Sequence, residues 1–367
     1  MKTLRTGAAL AAVAALTLTA CGGGSGSSDA TATDATTAAA GGLSGTLQGI
    51  GASSMRAAQE VWRAGFQTAN PEVTVNYSPD GSGAGRTAFM DGAADFAGSD
   101  RALNDEEMAG AFSHCAEGTQ AINLPVYISP IAIIYNLDGV EELNLSAELV
   151  ARIFRGEITN WNDPAIAELN PDATLPDLGI TPVHRSDNSG TTENFTETLG
   201  QVAPEVWTDE ADGEWPEGLG GEAAAQTTGV VAAVQNGTGT IGYADTSGIP
   251  ESMTVANYSL DGRTDLVGPT AEAAAQIVGA SEKVEGRADN DWSLELDRTA
   301  AGYPFVLVAY SIACEQYADP ATGELVGAYL SYVASEDGQQ AAVPQAGNAP
   351  LAGELAENVR QAAAAIK

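Results

Sequence analysis

An α/β fold is predicted for residues 43 to 367, on three observations. Short apolar runs alternate there with amphipathic helical segments. No internal repeat is visible, and 367 residues leave room for two domains of ordinary size, each with its own core. In chain order, "RAAQEVWRAGF" (56–66) is a helix, because Met55, Ala58, Trp62 and Phe66 recur at helical spacing. "ADFAGSD" (94–100) and "PVYISPIAIIYNL" (125–137) are apolar runs of strand character, and "SAELVARIFRG" (146–156) is helical. "ITPVHRSD" (180–187) is a strand that feeds the helix "TENFTETLG" (192–200). The helix "TGVVAAVQN" (228–236), the strands "GTIGYAD" (239–245) and "PFVLVAYSIAC" (304–314), and an alanine-rich C-terminal helix complete the alternation.

The N-terminus precedes this body. Residues 1–20 carry Lys2 and Arg5, then an apolar run ending in small residues, the pattern of a secretory signal and too short for a spanning helix. "LTAC" follows, and it resembles the bacterial lipobox, which would make Cys21 the lipidated first residue of the mature chain. Residues 22–42 are Gly, Ser, Ala and Thr with little else; they cannot bury a core and read as a flexible tether of roughly 25 Å root-mean-square span. Such a chain would sit outside the cytoplasm, held at the outer face of a membrane by its lipid.

Charge narrows the partners. The chain carries 15 Lys+Arg against 49 Asp+Glu, a formal charge of −34, and removing residues 1–20 with Lys2 and Arg5 takes it to −36. Nucleic acid and anionic membrane surfaces need a basic footprint and are poor partners. Cys115 and Cys314 remain as an even pair in an oxidising compartment, which reads as a disulfide rather than a metal site, two free thiols being the other possibility. Only His114 and His184 are present and no cysteine-rich cluster occurs, so a zinc site has little support.

Three segments share a small-residue turn with hydroxyls that opens a helix. They are "GIGASSMRAAQEVW" with Ser53 and Ser54, "YSPDGSGAGRTAF" with Ser82 among Gly81, Gly83 and Gly85, and "HRSDNSGTTENF" with Ser189, Gly190 and Thr191. Each alone could be an ordinary N-cap. Together, with glycines that let backbone N–H groups approach a ligand, they suggest converging helix mouths of the kind that bind anions. Arg185, four residues before Ser189, can answer a buried anion's charge with a planar fork, and Asp187 can hold that fork in place. Asp100 is the odd residue, because a carboxylate in an anion site repels its ligand. It makes sense if the ligand brings a proton, and phosphate is the abundant protonated oxyanion near pH 7. "GTGTIG" (237–242) matches a dinucleotide fingerprint only formally, since a strand follows it; no P-loop, nucleophile elbow or two-histidine zinc helix is present.

At these residues the chain resembles the phosphate-binding proteins of ABC-type phosphate transport. The resemblance runs from about residue 45 to the C-terminus and rests on "GIGASS", "GSGAG", "DFAGSD", "GEITNWNDPAI" and "HRSDNSGTT", in the family's order and at roughly its spacing. It implies phosphate ligands at Ser53, Ser54, Ser82, Asp100, Arg185, Ser189, Gly190 and Thr191, with Asp187 in support. Ser53-Ser54 stands where the family often carries threonine and an aromatic residue, so either hydroxyl could serve. "GEITNWNDP" carries no ligand in the family and is expected to set a turn that packs Trp161.

The resemblance also implies a two-lobed, Venus-flytrap fold. Lobe one would combine 43–127 with 306–367 and hold a Cys115–Cys314 bridge; lobe two would be 128–305, with "PVYISP" and "YPFVLV" as hinge crossovers. The expected function is extracytoplasmic binding of inorganic phosphate by a monomer without cofactor or metal, and delivery to membrane permease subunits. Sulfate or molybdate binding is the chief alternative, and Asp100 speaks against it. A secreted phosphatase-like enzyme would want metals or an activated nucleophile, of which His184 beside Arg185 is the one hint. A sensor or adhesin using the same pocket is a third possibility.

Overall fold

A computed structural model describes residues 42–367 except 261, 263 and 264. The predicted signal (1–20), the lipidation site Cys21 and all of the tether but Gly42 lie outside the described residues. Residues 42–367 form one compact unit.

Strands β1 (Gly45–Gly51), β2 (Val73–Ser78) and β3 (Phe96–Ser99) form a parallel group, with helices α1 (Arg56–Ala69) and α2 (Ser82–Asp91) as its crossovers. Strand β4 (Ala121–Asn136) follows, then helix α3 (Ala147–Phe154), capped by the Ser146 hydroxyl. A second parallel group comprises β5 (Thr181–Arg185), β6 (Glu222–Ala224) and β7 (Thr240–Asp245), linked by α4 (Gly190–Val202) and α5 (Gln226–Asn236). Helix α6 (Ala271–Ala280) leads to β8 (Val306–Cys314), and α7 (Pro320–Ala334), α8 (Glu336–Ala346) and α9 (Gly353–Ala364) close the chain. Every helix and strand predicted one by one from sequence is present, the C-terminal helix included.

The strands make one sheet in the order β2-β1-β3-β8-β4-β7-β5-β6, with short strand Thr254–Val255 added on β4. Its centre is an antiparallel pair. β4 joins β8 along residues 121–130 and then joins β7 along 131–136, so one strand serves both parallel groups. The sequence shows why the change falls there: Pro130 has no N–H to donate, and the partner switch follows it directly. The register also slips between Ala309 and Tyr310, opposite Tyr127 and Pro125, so Val126 is the extra residue of a bulge beside a second proline. β4 is buried from Ala121 to Tyr135, as expected for a strand covered on both faces. Of the two stretches expected as crossovers, 125–130 lies within this pair, and 303–308 enters it at Val306, opposite Pro130.

The six flanking strands run so that their C-terminal ends feed the loops 52–55, 79–81, 100–104, 186–189, 225 and 246–248. In sheets of this kind ligands bind off the carboxyl ends of the strands, and every predicted site residue sits at such an end. Cys115 and Cys314 are bridged, with S–S 2.02 Å and a sequence separation of 199. Trp161 is fully buried and its indole N–H donates to Gly239 O at 3.0 Å, on the turn that feeds β7. The "GEITNWNDP" stretch has turns at 155–156 and 161–162 and carries this tryptophan into the core. No helix among the described residues is long and apolar enough to cross a membrane.

Candidate functional site

Asp100 follows β3 and is 3% exposed. Ser54 Oγ donates to its Oδ1 at 2.5 Å and Thr191 Oγ1 donates to its Oδ2 at 2.9 Å, while its own N–H donates to Ser82 Oγ at 3.1 Å. One residue from each of the three helix mouths thus touches Asp100. Burial raises its carboxyl above the ordinary range, against the hydrogen bonds of Ser54 and Thr191 and the charge of Arg185. Gly190 is what allows the approach: a Cβ there would lie 2.6 Å from both Asp100 Cβ and Ser82 Oγ. No other residue fits without displacing the pair.

Arg185 ends β5 and is also 3% exposed. Its Nε donates to Asp187 Oδ1 at 2.8 Å and its Nη2 to Asp187 Oδ2, the two-point grip expected of this pair. Asp187 accepts a further bond from the Gln226 N–H at 2.9 Å. Burial would raise the Asp187 carboxyl, but the Arg185 hydrogen bond and charge outweigh it and hold it low. Gly81 lies directly over the pair, its Cβ position 2.8 Å from Asp187 Oδ2 and 3.9 Å from Arg185 Nη2. With φ at +104° this N-cap of α2 occupies backbone space that favours glycine. The second mouth is thereby brought against the third.

Of the four serines, only Ser189 is explained as an N-cap. Its Oγ accepts from Thr192 N at 3.2 Å and caps α4, and its own N–H is taken by Gly213 O at 2.9 Å. Ser82 lies inside α2, whose N-cap is Gly81, and α1 is capped by Met55 without any side-chain bond. Ser53 and Ser54 have different partners. Ser54 donates to Asp100, whereas Ser53 Oγ is 3.0 Å from Thr227 Oγ1 and accepts from the Thr227 N–H at 3.3 Å. His184, the one hint of a base, stacks on Trp215 at 4.7 Å with its Nδ1 on Arg185 O at 2.9 Å, and burial lowers its pKa. Neither contact sets a base beside Asp100.

Other residues of this neighbourhood were not predicted. Thr227 and Gln226 open α5, a fourth helix mouth between the groups; Gln226, with φ at 60°, is the one non-glycine at positive φ among the described residues. The run "QTTG" has hydroxyls before a glycine, so the signal was present, but no glycine stands one or two residues before its first hydroxyl, as one does in the first two mouths. Tyr243 OH lies 2.7 Å from Thr192 Oγ1 and accepts from Arg185 N at 3.2 Å. Arg86, 4% exposed, donates to Glu107 at 2.8 Å and to Ser99 Oγ at 3.1 Å. Chemically, the site offers hydroxyls, helix-start N–H groups, one guanidinium and one buried acceptor carboxylate. Among the described residues no cluster of His, Cys, Asp and Glu could hold a metal ion.

Comparison with known proteins gives the family. A family model described as the PBP superfamily domain matches residues 32–337. The phosphate-binding protein PstS3 of Mycobacterium bovis BCG is 38% identical over 90% of both chains. Phosphate-binding protein PstS 2 of Mycobacterium tuberculosis is 36% identical over 96% of both. Among solved structures, a phosphate-binding protein from Stenotrophomonas maltophilia superposes with a TM-score of 0.65 at 20% identity, covering 87% of this chain and 94% of that one. A substrate-binding protein with bound phosphate from Clostridium perfringens, described as belonging to a phosphate ABC transporter, gives 0.60 at 20% identity over 84% and 100%. At such identity these two establish the fold.

Proposed function

This chain belongs to the phosphate-binding proteins of the PBP superfamily, and from that premise we propose that it binds inorganic phosphate outside the cytoplasm and delivers it to the permease of an ABC-type transporter. The observation that carries the reading is Asp100, a buried acceptor carboxylate ringed by residues from three helix mouths. An anion seated there brings its charge to Arg185, whose grip on Asp187 uses Nε and Nη2 and leaves Nη1 for a ligand oxygen. The N–H groups of Ser82, Gly190 and Thr191, at the starts of α2 and α4, have no acceptor within their helices and can serve the same anion. Ser54 and Thr191, now donating to Asp100, turn about their C–O bonds to donate to the ligand. Monohydrogen phosphate can then give its own proton to Asp100. Sulfate has none to give, and its oxygen would face the carboxylate unshielded.

We assign the ligands as Ser54, Ser82, Asp100, Arg185, Ser189, Gly190 and Thr191, with Ser53 binding through its backbone or acting through Thr227. The two lobes are 43–127 with 306–367, and 128–305; β4 and β8 bend between them as phosphate closes the cleft. The stretch around Asp291 reaches back from lobe two, Asn123 Nδ2 donating to Asp291 at 2.6 Å. A lipid on Cys21 tethers the monomer at the membrane face. Binding without turnover is the reading that these donors support.

Titration with phosphate and with sulfate, followed by tryptophan fluorescence, tests this. Trp215 stacks on His184, next to Arg185, and Trp207 packs on Trp215. Saturable phosphate binding is expected at about pH 7.5, with sulfate on the order of a thousandfold weaker or more. Sulfate within about tenfold of phosphate would remove the proposed role of Asp100.

A further inference from the structure

Asn194 lies in α4, is 4% exposed, and is not among the ligands expected from the motifs above. Its Oδ1 is 2.5 Å from Arg298 Nη2. A guanidinium can only donate, so the amide oxygen must face Arg298 and the NH2 group must face the other way. There it meets two carbonyls, Gly190 O at 2.8 Å, one turn back in the same helix, and Asp100 O at 2.6 Å, from the opposite group of strands. Asn194 therefore holds the main chain of the one residue whose side chain accepts from Ser54 and Thr191.

Arg298 fixes the amide in turn. It is 1% exposed, and its Nη1 donates to Val306 O at 2.7 Å and Pro304 O at 3.3 Å, at the start of β8. Its Nη2 also reaches Glu197 at 2.9 Å, while its buried Nε has no partner among the described residues. Its other donors tie the second crossover to Asn194, and through it to Asp100.

We propose that Asn194, oriented by Arg298, is a positioning residue that sets discrimination between protonated and unprotonated oxyanions by holding the Asp100 peptide still. The proposal rests on Asp100 as acceptor of the phosphate proton. Rejection of sulfate requires that the carboxylate cannot retreat from a bare oxygen, because a carboxylate free to retreat would relieve the repulsion. Phosphate needs only that the carboxylate reach its proton. Loosening Asp100 therefore helps sulfate more than it harms phosphate.

The neighbouring pair supplies the control. Arg101 Nε donates to Glu193 Oε2 at 2.8 Å, joining the same two stretches without touching the Asp100 carbonyl. Glu193→Gln weakens that tie and should lower the affinity for both anions by similar factors. Asn194→Ala removes the donor; Asn194→Asp keeps the shape, strengthens the pair with Arg298 and sets an acceptor against the Asp100 carbonyl. Phosphate and sulfate dissociation constants are measured by calorimetric titration at about pH 7.5 for these proteins and for Arg298→Lys, with melting curves to confirm folding. The sulfate-to-phosphate ratio is expected to fall about tenfold or more in both Asn194 variants, and in the same direction in Arg298→Lys, with phosphate binding weakened less than about tenfold. If the wild type discriminates and the folded variants keep its ratio, or lose both anions equally as Glu193→Gln does, Asn194 has no such role. If the wild type does not discriminate, the Asp100 reading fails and this one falls with it.

Discussion

Asp100 and Arg185 meet opposite problems. One is an anion at the proposed anion site, the other a cation buried where a partner is compulsory. Burial raises the Asp100 carboxyl, so its protonated fraction grows as pH falls. A protonated Asp100 can donate to a bare oxygen, hence sulfate affinity should rise on acidification from about pH 7.5 toward 5. Asp100→Asn should bind sulfate better than wild type at about pH 7.5 and show no such rise; a flat wild-type profile would contradict the assignment. Arg185→Ala should weaken phosphate by about tenfold or more, since a lost charge-assisted bond costs about 1.5–3 kcal/mol. Arg185→Lys should fall between, keeping charge and losing the fork. Titration calorimetry reads both, and unchanged affinity in the alanine variant would return Arg185 to a structural role. These residues were legible because each combines a charge or hydroxyl with a glycine close by in sequence. Thr227 and Asn194 were not, because their roles arise from contacts 174 and 94 residues away in sequence, with Ser53 and Asp100.

Elements explain which parts of the alternation could be read. The long apolar runs of β4 and β8 announce themselves, whereas β1, "GTLQGIG", hides behind its glycines. A Cβ on Gly49 would lie 2.3 Å from the Phe96 ring, and one on Gly51 would lie 1.9 Å from Gly98 O. Strand propensity is given up there for close packing of β1 on β3. β7 shows a different compromise at its end. Its last residue, Asp245, is fully buried and accepts from Tyr127 OH at 3.2 Å and from Ser247 N at 3.0 Å. Burial pushes its carboxyl up to about 7, with the charge of Asp100 adding and the Ser129 and Ser247 hydroxyls opposing. A folded-state pKa above the ordinary value of 3.8 means that Asp245 favours folding in acid and that this contribution is lost as pH rises through about 7. The shift corresponds to on the order of 4 kcal/mol. Asp245→Asn keeps an acceptor for Ser247 without the charge. Its melting temperature should exceed that of wild type by a few degrees at about pH 8, and the gap should close toward pH 5. A gap that stays constant in scanning calorimetry would show that Asp245 does not titrate in this range.

At the scale of the whole molecule, the proposed discontinuous lobe would have to be held together while the proposed cleft stays free to open. The Cys115–Cys314 bridge stands where the first requirement arises. His114 Nε2 meets Gly92 O at 2.9 Å, at the end of α2, and Cys115 is the next residue. Cys314 ends β8 opposite Ala121, the first residue of β4, so the bridge pins the returning chain to the stretch that precedes β4. Closing a loop of 199 residues restricts the unfolded chain by about 5 kcal/mol on the chain-entropy model. The site lies elsewhere along the same strand: β8 meets β3 at Tyr310 opposite Ser99, next to Asp100, and Cys314 is four residues farther on, roughly 13 Å at strand rise. The bridge also lies beyond the part of β4 and β8 where the partners change, so it does not cross the bend. Reduction, or the Cys115→Ala/Cys314→Ala double variant, should therefore lower the melting temperature by several degrees and leave phosphate affinity within about threefold of wild type. Thermal scans and phosphate titrations on the same samples separate the two effects. A loss of affinity as large as the loss of stability would mean that the bridge constrains the cleft itself, and that the hinge lies nearer to Cys314 than the partner switch at Pro130.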